Sequence, residues 1–180
     1  MRRKVTKERL KIFMHELAKA ARSPGKVYFT GGTSMLLLGI RDQTVDVDLK
    51  LDPEPDGVFE ALADLKNSLD INVELASPDH FIPVRSSWRE RSRFIDKISC
   101  VEFLHYDFCM QALSKIERGH DQDLQDVIAL VRTGYTKPED IRQTFISIKK
   151  DIVRYPALDA LEFERKISEF LHNLEEAPIE

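Results

Sequence analysis

The sequence predicts an α+β protein, with a mixed β-sheet flanked by helices over about residues 1–106 and a C-terminal helical lobe over about 107–180. Three observations predict it. Apolar and polar residues alternate with period two at Val45–Asp52 and again at Ile71–Leu75. Stretches with helical spacing come before and between these segments. Beyond Asp107 only the helical period recurs.

The elements follow in order. Leu10, Phe13, Leu17 and Ala21 recur at helical spacing behind Thr6, a good N-cap, and Ser23-Pro24-Gly25 stops the pattern. Lys26–Thr30 reads as a short strand, Gly31-Gly32 breaks it, and Thr33–Gly39 turns back as a helix. In the next strand Val45, Val47, Leu49 and Leu51 alternate with Asp46, Asp48, Lys50 and Asp52, so both early aspartates share one face. After the turn at Asp52–Gly57, a helix carries Val58, Leu62 and Leu65 as far as Ser68. In Ile71-Asn72-Val73-Glu74-Leu75 the apolar residues again alternate, leaving Glu74 on the polar face. Pro78–Glu90 reads as a loop, and Arg93–Tyr106 as one or two strands anchored by Phe94, Ile98, Val101 and Phe103. Four helices are expected after that, over 107–118, 123–132, 138–153 and 159–174, with Thr136–Glu139 and Asp159–Glu162 spaced as capping boxes.

Composition narrows the functional classes. A chain of 180 residues with 42% hydrophobic and 32% charged residues can bury a core, and no apolar run approaches the roughly 18 residues of a membrane span. The basic start Met1-Arg2-Arg3-Lys4-Val5 lacks the apolar core of a secretory signal, so a cytoplasmic protein without membrane partners is expected. Cys100 and Cys109 have no metal or disulfide spacing and read as free thiols. At net charge −4, any nucleic-acid contact must come from a local patch, of which Arg85, Arg89, Arg91 and Arg93 are the candidate. Trp88 among them either stacks on a base or pins the loop. The five histidines form no zinc motif, and neither a Gly-x-Gly-x-x-Gly fingerprint nor a Walker lysine is present.

The chemistry concentrates at the glycine turn and the strand after it. Two carboxylates on one strand face, just beyond a strand–Gly-Gly–helix turn, suit phosphoryl or nucleotidyl transfer. Backbone N–H groups and a hydroxyl can approach a triphosphate there, and the carboxylates can hold Mg²⁺ against its oxygens. Asp-x-Asp alone is a weak signal, since alternating aspartates more often form the solvated side of a strand.

The full run from Phe29 to Leu49, with Gly31-Gly32-Thr33-Ser34 and then Arg41-Asp42-Gln43-Thr44-Val45-Asp46-Val47-Asp48, resembles the signature of DNA polymerase β-like nucleotidyltransferases. More narrowly it resembles AbiEii-type toxins and their bacterial relatives. The resemblance implies that Gly31, Gly32, Thr33 and Ser34 cradle phosphates and that Asp46 and Asp48 ligate Mg²⁺, expected as two ions. Glu74 is implied as the third carboxylate, either a metal ligand or the base for the acceptor hydroxyl; its other reading is a solvated strand residue. Ala76–Pro83 also looks like a loop of those relatives, without an assigned role.

A second constellation opens the helical lobe. Lys115 and Arg118 share one helix face, Asp123 and Asp126 share the next, and Gly119 lies between. Read from the residues, this is a salt-bridge cluster of a helix hairpin. The resemblance implies instead that Lys115 and Arg118 contact triphosphate, oriented by Asp123 or Asp126. The expected function is transfer of a nucleoside monophosphate from an NTP to an RNA, protein or small-molecule hydroxyl in a cleft between core and lobe, with a toxin–antitoxin setting and a cognate antitoxin or other partner protein. The alternative is a non-enzymatic nucleotide- or protein-binding module on the same fold.

Overall fold

The computed structural model describes residues 3–176, so Met1 and Arg2 of the basic start lie outside the described residues. The chain forms two compact units. One comprises the chain up to Ser77 with Ser92–Tyr106; the other comprises Pro78–Arg91 and the chain from Asp107 onward.

The first unit is built on α1 (Lys7–Ala20), β1 (Gly25–Phe29), α2 (Gly31–Leu38), β2 (Asp46–Leu51), α3 (Val58–Ser68), β3 (Asn72–Glu74) and the later strands β4 (Arg93–Ile98) and β5 (Val101–His105). Thr6 caps α1, its hydroxyl accepting from the Arg9 N–H at 3.4 Å. The five strands form one sheet in the order β3–β2–β1–β5–β4. It is mixed, as expected: β1 runs antiparallel to β2 and parallel to β5, β2 is parallel to β3, and β4 is antiparallel to β5.

The pleat sorts the sheet's side chains. Val27, Phe29, Val47, Leu49, Val73, Val101 and Phe103, at alternate positions of four strands, share one core with Leu10, Phe13 and Leu17 of α1 and Val58, Leu62 and Leu65 of α3. Phe29 and Phe103 stack at 5.8 Å. Each such side chain contributes about 1.5–3 kcal/mol by leaving water. Period two then places Asp46, Asp48, Asn72 and Glu74 on the other face.

The alternation overreaches at its ends. Val45 lies before β2 and is 63% exposed, and Leu75 is likewise exposed beyond β3. Phe94, expected as an anchor, is 59% exposed on the edge strand β4, next to a register shift between Phe94 and Asp96. Helix α2 also begins two residues early, because glycine at 31 takes up the left-handed φ of 53° with which the helix starts.

In the second unit, α4 (Trp88–Arg91) precedes α5 (Phe108–Arg118), α6 (Asp121–Arg132), α7 (Pro138–Ile148) and α8 (Ala160–Glu176), with 3-10 turns at Pro78–His80 and Lys149–Arg154. Helix α5 is buried continuously from Phe108 to Ile116 and packs on α6, α7 and α8, which makes it the central element. Its cap Asp107 accepts from the Cys109 and Met110 N–H groups at 2.9 and 3.4 Å and also takes a two-pronged contact from Arg85 at 2.7 and 2.9 Å. Asp159 caps α8 through the N–H groups of Leu161 and Glu162. The expected Thr136–Glu139 box does not form, since Lys137 is the N-cap of α7 and the Thr136 hydroxyl is buried against Cys109 Sγ at 3.1 Å. Both cysteines are free thiols, and among the described residues no helix is long and apolar enough to cross a membrane.

The two aspartate caps differ in what depends on them. Asp107→Ala is expected to destabilise by about 3–5 kcal/mol, because it removes the cap and strands the partly buried Arg85 cation. Asp159→Ala, at an exposed cap, should cost about 1 kcal/mol. Urea unfolding midpoints check the difference, and equal shifts contradict it.

Candidate active site

The turn between β1 and β2 is assembled by hydroxyl groups. Thr30 is the N-cap of α2 by position, yet its side chain makes no cap; its hydroxyl donates instead to the Ala76 carbonyl at 2.8 Å. Thr30 thus leaves the first N–H groups of α2, at the positive end of the helix dipole, uncapped by its own side chain. Thr33 reaches the other way. Its hydroxyl donates to the Asp46 carbonyl at 3.1 Å and accepts from the Asp48 N–H at 2.9 Å. One buried side chain thus fixes the helix start against the strand that carries both aspartates.

Glycine is required here sterically. A Cβ at Gly31 would lie 2.5 Å from Asp48 Oδ2, and one at Gly32 would overlap the Thr44 hydroxyl and come within 3.2 Å of Arg41 Nη1. The Asp48 carboxylate and the Arg41 guanidinium therefore both border the glycine turn. Asp46 and Asp48 are half-buried on one face of β2, and β3 sets Asn72 opposite Asp46 and Glu74 opposite Asp48. Asn72 Nδ2 donates to Asp46 Oδ1 at 2.7 Å and to Glu74 Oε1 at 3.0 Å, tying the two carboxylates together.

Among the described residues, no three His, Cys, Asp or Glu side chains gather as metal ligands, so Asp46, Asp48 and Glu74 do not form a closed metal cage. The donor set nevertheless fits Mg²⁺, which takes one or two carboxylates and completes its shell with water and substrate phosphate. The absent Cβ at Gly31 lets the Asp48 carboxylate lie directly against the turn.

Ser34 is placed differently from a phosphate-facing hydroxyl. It is fully buried, and its Oγ lies 2.8 Å from Nδ1 of His105, at the end of β5. Burial and then the Arg93 charge push the His105 imidazole down to about pH 4, so it is neutral at physiological pH. Sequence reasoning missed His105, Asn72 and the turn-side placement of Arg41; only Arg41 carried a signal, as part of the Arg-x-x-Thr run.

In the second unit, Lys115, Arg118, Asp123 and Asp126 meet in one cluster. Lys115 Nζ donates to Asp123 Oδ1 at 2.8 Å and to Asp126 Oδ2 at 2.6 Å, and Arg118 Nη2 donates to the same Asp123 oxygen at 2.8 Å. Lys115 is only 3% exposed, whereas the Arg118 side chain is 44% exposed. Burial pushes the Asp123 carboxyl up, but Lys115 and Arg118 outweigh it and hold the group below the usual carboxylate range. Among the other arginines, Arg85 is bound to Asp107 and Arg89 lies 4.5 Å above the ring of Trp88, itself buried as the pin of its loop.

The first unit is thus a mixed sheet whose glycine turn and helix start are pinned beside two strand-borne aspartates. The chain belongs to the family described as nucleotidyltransferase of unknown function (DUF6036), whose model matches residues 8–163. No curated protein and no solved structure gives a significant match.

Two stability effects follow from these groups. His105 has a pKa of about 4 in the fold against 6.5 as its ordinary value, so between those values the unfolded chain binds the extra proton. Its stabilising contribution is whole above pH 6.5 and declines as the pH falls toward 4, by at most about 1.4 kcal/mol per pH unit. His105→Gln should flatten that slope in urea melts taken across this range. Lys115→Met removes the cation between Asp123 and Asp126, leaving Asp123 to Arg118, and should cost about 3–5 kcal/mol at neutral pH; a loss below about 1 kcal/mol contradicts the buried cluster.

Proposed function

We propose that the chain is a Mg²⁺-dependent nucleotidyltransferase that moves a nucleoside monophosphate from an NTP to a hydroxyl acceptor. The carrying observation is the Thr33-pinned placement of Asp46 and Asp48 beside the uncapped start of α2 at Gly31. In the reaction a bond forms from the acceptor oxygen to the α-phosphorus, the bond to the β-phosphate bridging oxygen breaks, and pyrophosphate leaves. Asp46 and Asp48 would hold the expected Mg²⁺ pair, which when bound supplies Lewis-acid charge against the triphosphate. The N–H groups at Gly31 and Gly32 and the Arg41 cation meet phosphate oxygens. Glu74, exposed and opposite Asp48, takes the acceptor proton or serves as third ligand.

Thr33 and Ser34 act by positioning, since both hydroxyls are engaged inside the fold. Arg118 is the member of its cluster with surface to offer a phosphate, and Lys115, Asp123 and Asp126 hold it in place. The acceptor class (RNA, protein or small molecule), a cognate antitoxin or other partner protein, and an AbiEii-like toxin–antitoxin setting belong to this reading as expectations. The competing reading, a non-enzymatic binding module, draws on the internal pairing of Lys115.

Transfer of label from α-labelled NTPs to RNA and protein acceptors is expected with Mg²⁺, falling about 100-fold or more in Asp46→Ala and Asp48→Ala. Gly31→Ala should lose Mg²⁺-NTP binding by calorimetry while the protein stays folded. Wild type and variants that are equally inert across all four NTPs, with Mg²⁺ and with Mn²⁺, would sink the enzyme reading.

A further inference from the structure

The segment Ala76–Pro83 takes little part in the reading above. Within the second unit it contains the 3-10 turn Pro78–His80, closed by the Phe81 and Ile82 N–H groups donating to the Pro78 carbonyl at 3.0 and 2.9 Å. Pro78 and Ile82 are buried, so the backbone is anchored on both sides of Phe81, yet the Phe81 ring is 47% exposed. His80 sits edge-on to that ring, with centroids 6.2 Å apart. Tyr155 is fixed to the same turn by its hydroxyl, which donates to the Asp79 carbonyl at 2.9 Å. With Glu117, Arg154 and the segment 156–158, these rings line a cleft of about 320 Å³, at the lower end of the range of small-molecule sites.

The chemistry of the lining is selective. Two rigidly held rings favour a planar partner over an aliphatic one. Glu117 is charge-compensated by Lys166, whose Nζ donates to its carbonyl at 2.6 Å and lies 3.4 Å from Oε1. Its carboxylate accepts hydrogen bonds without presenting a bare charge. Arg154 is exposed and forms a surface pair with Asp151 at 3.6 Å, a contact readily exchanged for a phosphate. An acidic peptide would meet Glu117, and an acyl chain would use neither Glu117 nor Arg154.

We propose that this cleft binds a nucleotide unit, the base stacked on Phe81 and Tyr155 with its amino edge toward Glu117, and the phosphate met by Arg154. The ligand is a free nucleotide or the end of an RNA strand, which present the same chemistry. The inference does not rest on nucleotidyl transfer, because no residue of the cleft belongs to the Asp46–Asp48 site.

The test uses the full chain carrying Asp46→Ala and Asp48→Ala, in EDTA, so that binding at the proposed Mg²⁺ site is removed. Calorimetry and saturation-transfer NMR are run with the four nucleoside monophosphates, the matching nucleosides, a five-nucleotide RNA and a short aromatic peptide. Saturable nucleotide binding is expected, weakened about five- to a hundredfold by Phe81→Ala, the range that removal of one stacked aromatic gives. Arg154→Ala should weaken nucleotides and leave nucleosides unchanged. Both side chains are exposed, so circular dichroism should show intact folds. An RNA end is the source if the oligonucleotide binds more than tenfold tighter than any monophosphate with the same dependence on Phe81, and a free nucleotide otherwise. The proposal is overturned by absence of saturable nucleotide binding, by binding indifferent to Phe81→Ala, or by tighter binding of the peptide than of every nucleotide.

Discussion

The two hydrogen bonds of the Thr33 hydroxyl set the geometry on which the candidate site depends. Donating to the Asp46 carbonyl and accepting from the Asp48 N–H, this one buried oxygen stitches the first turn of α2 to the first residues of β2. It acts beside the Thr30 N–H, which donates to the Asp48 carbonyl at 3.1 Å. Together the two hold the strand's aspartates and the helix start in register. Leaving a buried donor or acceptor unsatisfied costs about 1–3 kcal/mol, so the arrangement is both specified and expensive to lose.

Around that stitch the electrostatics are arranged by contrast. The first unit leaves charge half-buried at Asp46 and Asp48 and accepts a helix start without a side-chain cap. The second unit closes its charges on themselves, with Lys115 between two carboxylates and Asp107 between a helix cap and Arg85. The first pattern leaves the aspartates partly in contact with solvent, whereas the second buries its carboxylates against cations. Arg118 is the exception in its cluster because its side chain still reaches solvent.

Much of the fold was legible because it rests on short-range periodicity. The strand at Asp46–Leu51 and the helices of the second unit follow from alternation and from helical stripes, and the caps Thr6 and Asp159 lie where their residue types prefer to be. What was not legible depends on partners far along the chain. Val45 and Phe94 read as core, but whether an apolar residue at a strand end or on an edge is covered depends on neighbours that periodicity does not contain. Thr136 had the spacing of a cap and was taken instead by Cys109, while Ser34 was taken by His105, 71 positions away. Asp46 and Asp48 were legible as a pair, yet the bridge from Asp46 to Glu74 through Asn72 required the β2–β3 register.

The edges of the sheet have a bearing on how other molecules can meet the first unit. On one side stands β3, only three residues long; on the other stands β4, where the register slips between Phe94 and Asp96 and the Asp96 carboxylate occupies the Lys97 N–H at 2.7 Å. Arg93, Asp96 and Lys97 add exposed charge along that rim. Neither margin offers the long, flat row of free backbone groups that an incoming strand needs as a template. The sheet is finite by construction, and recognition of this unit by another chain has to be written in side chains rather than in main-chain pairing.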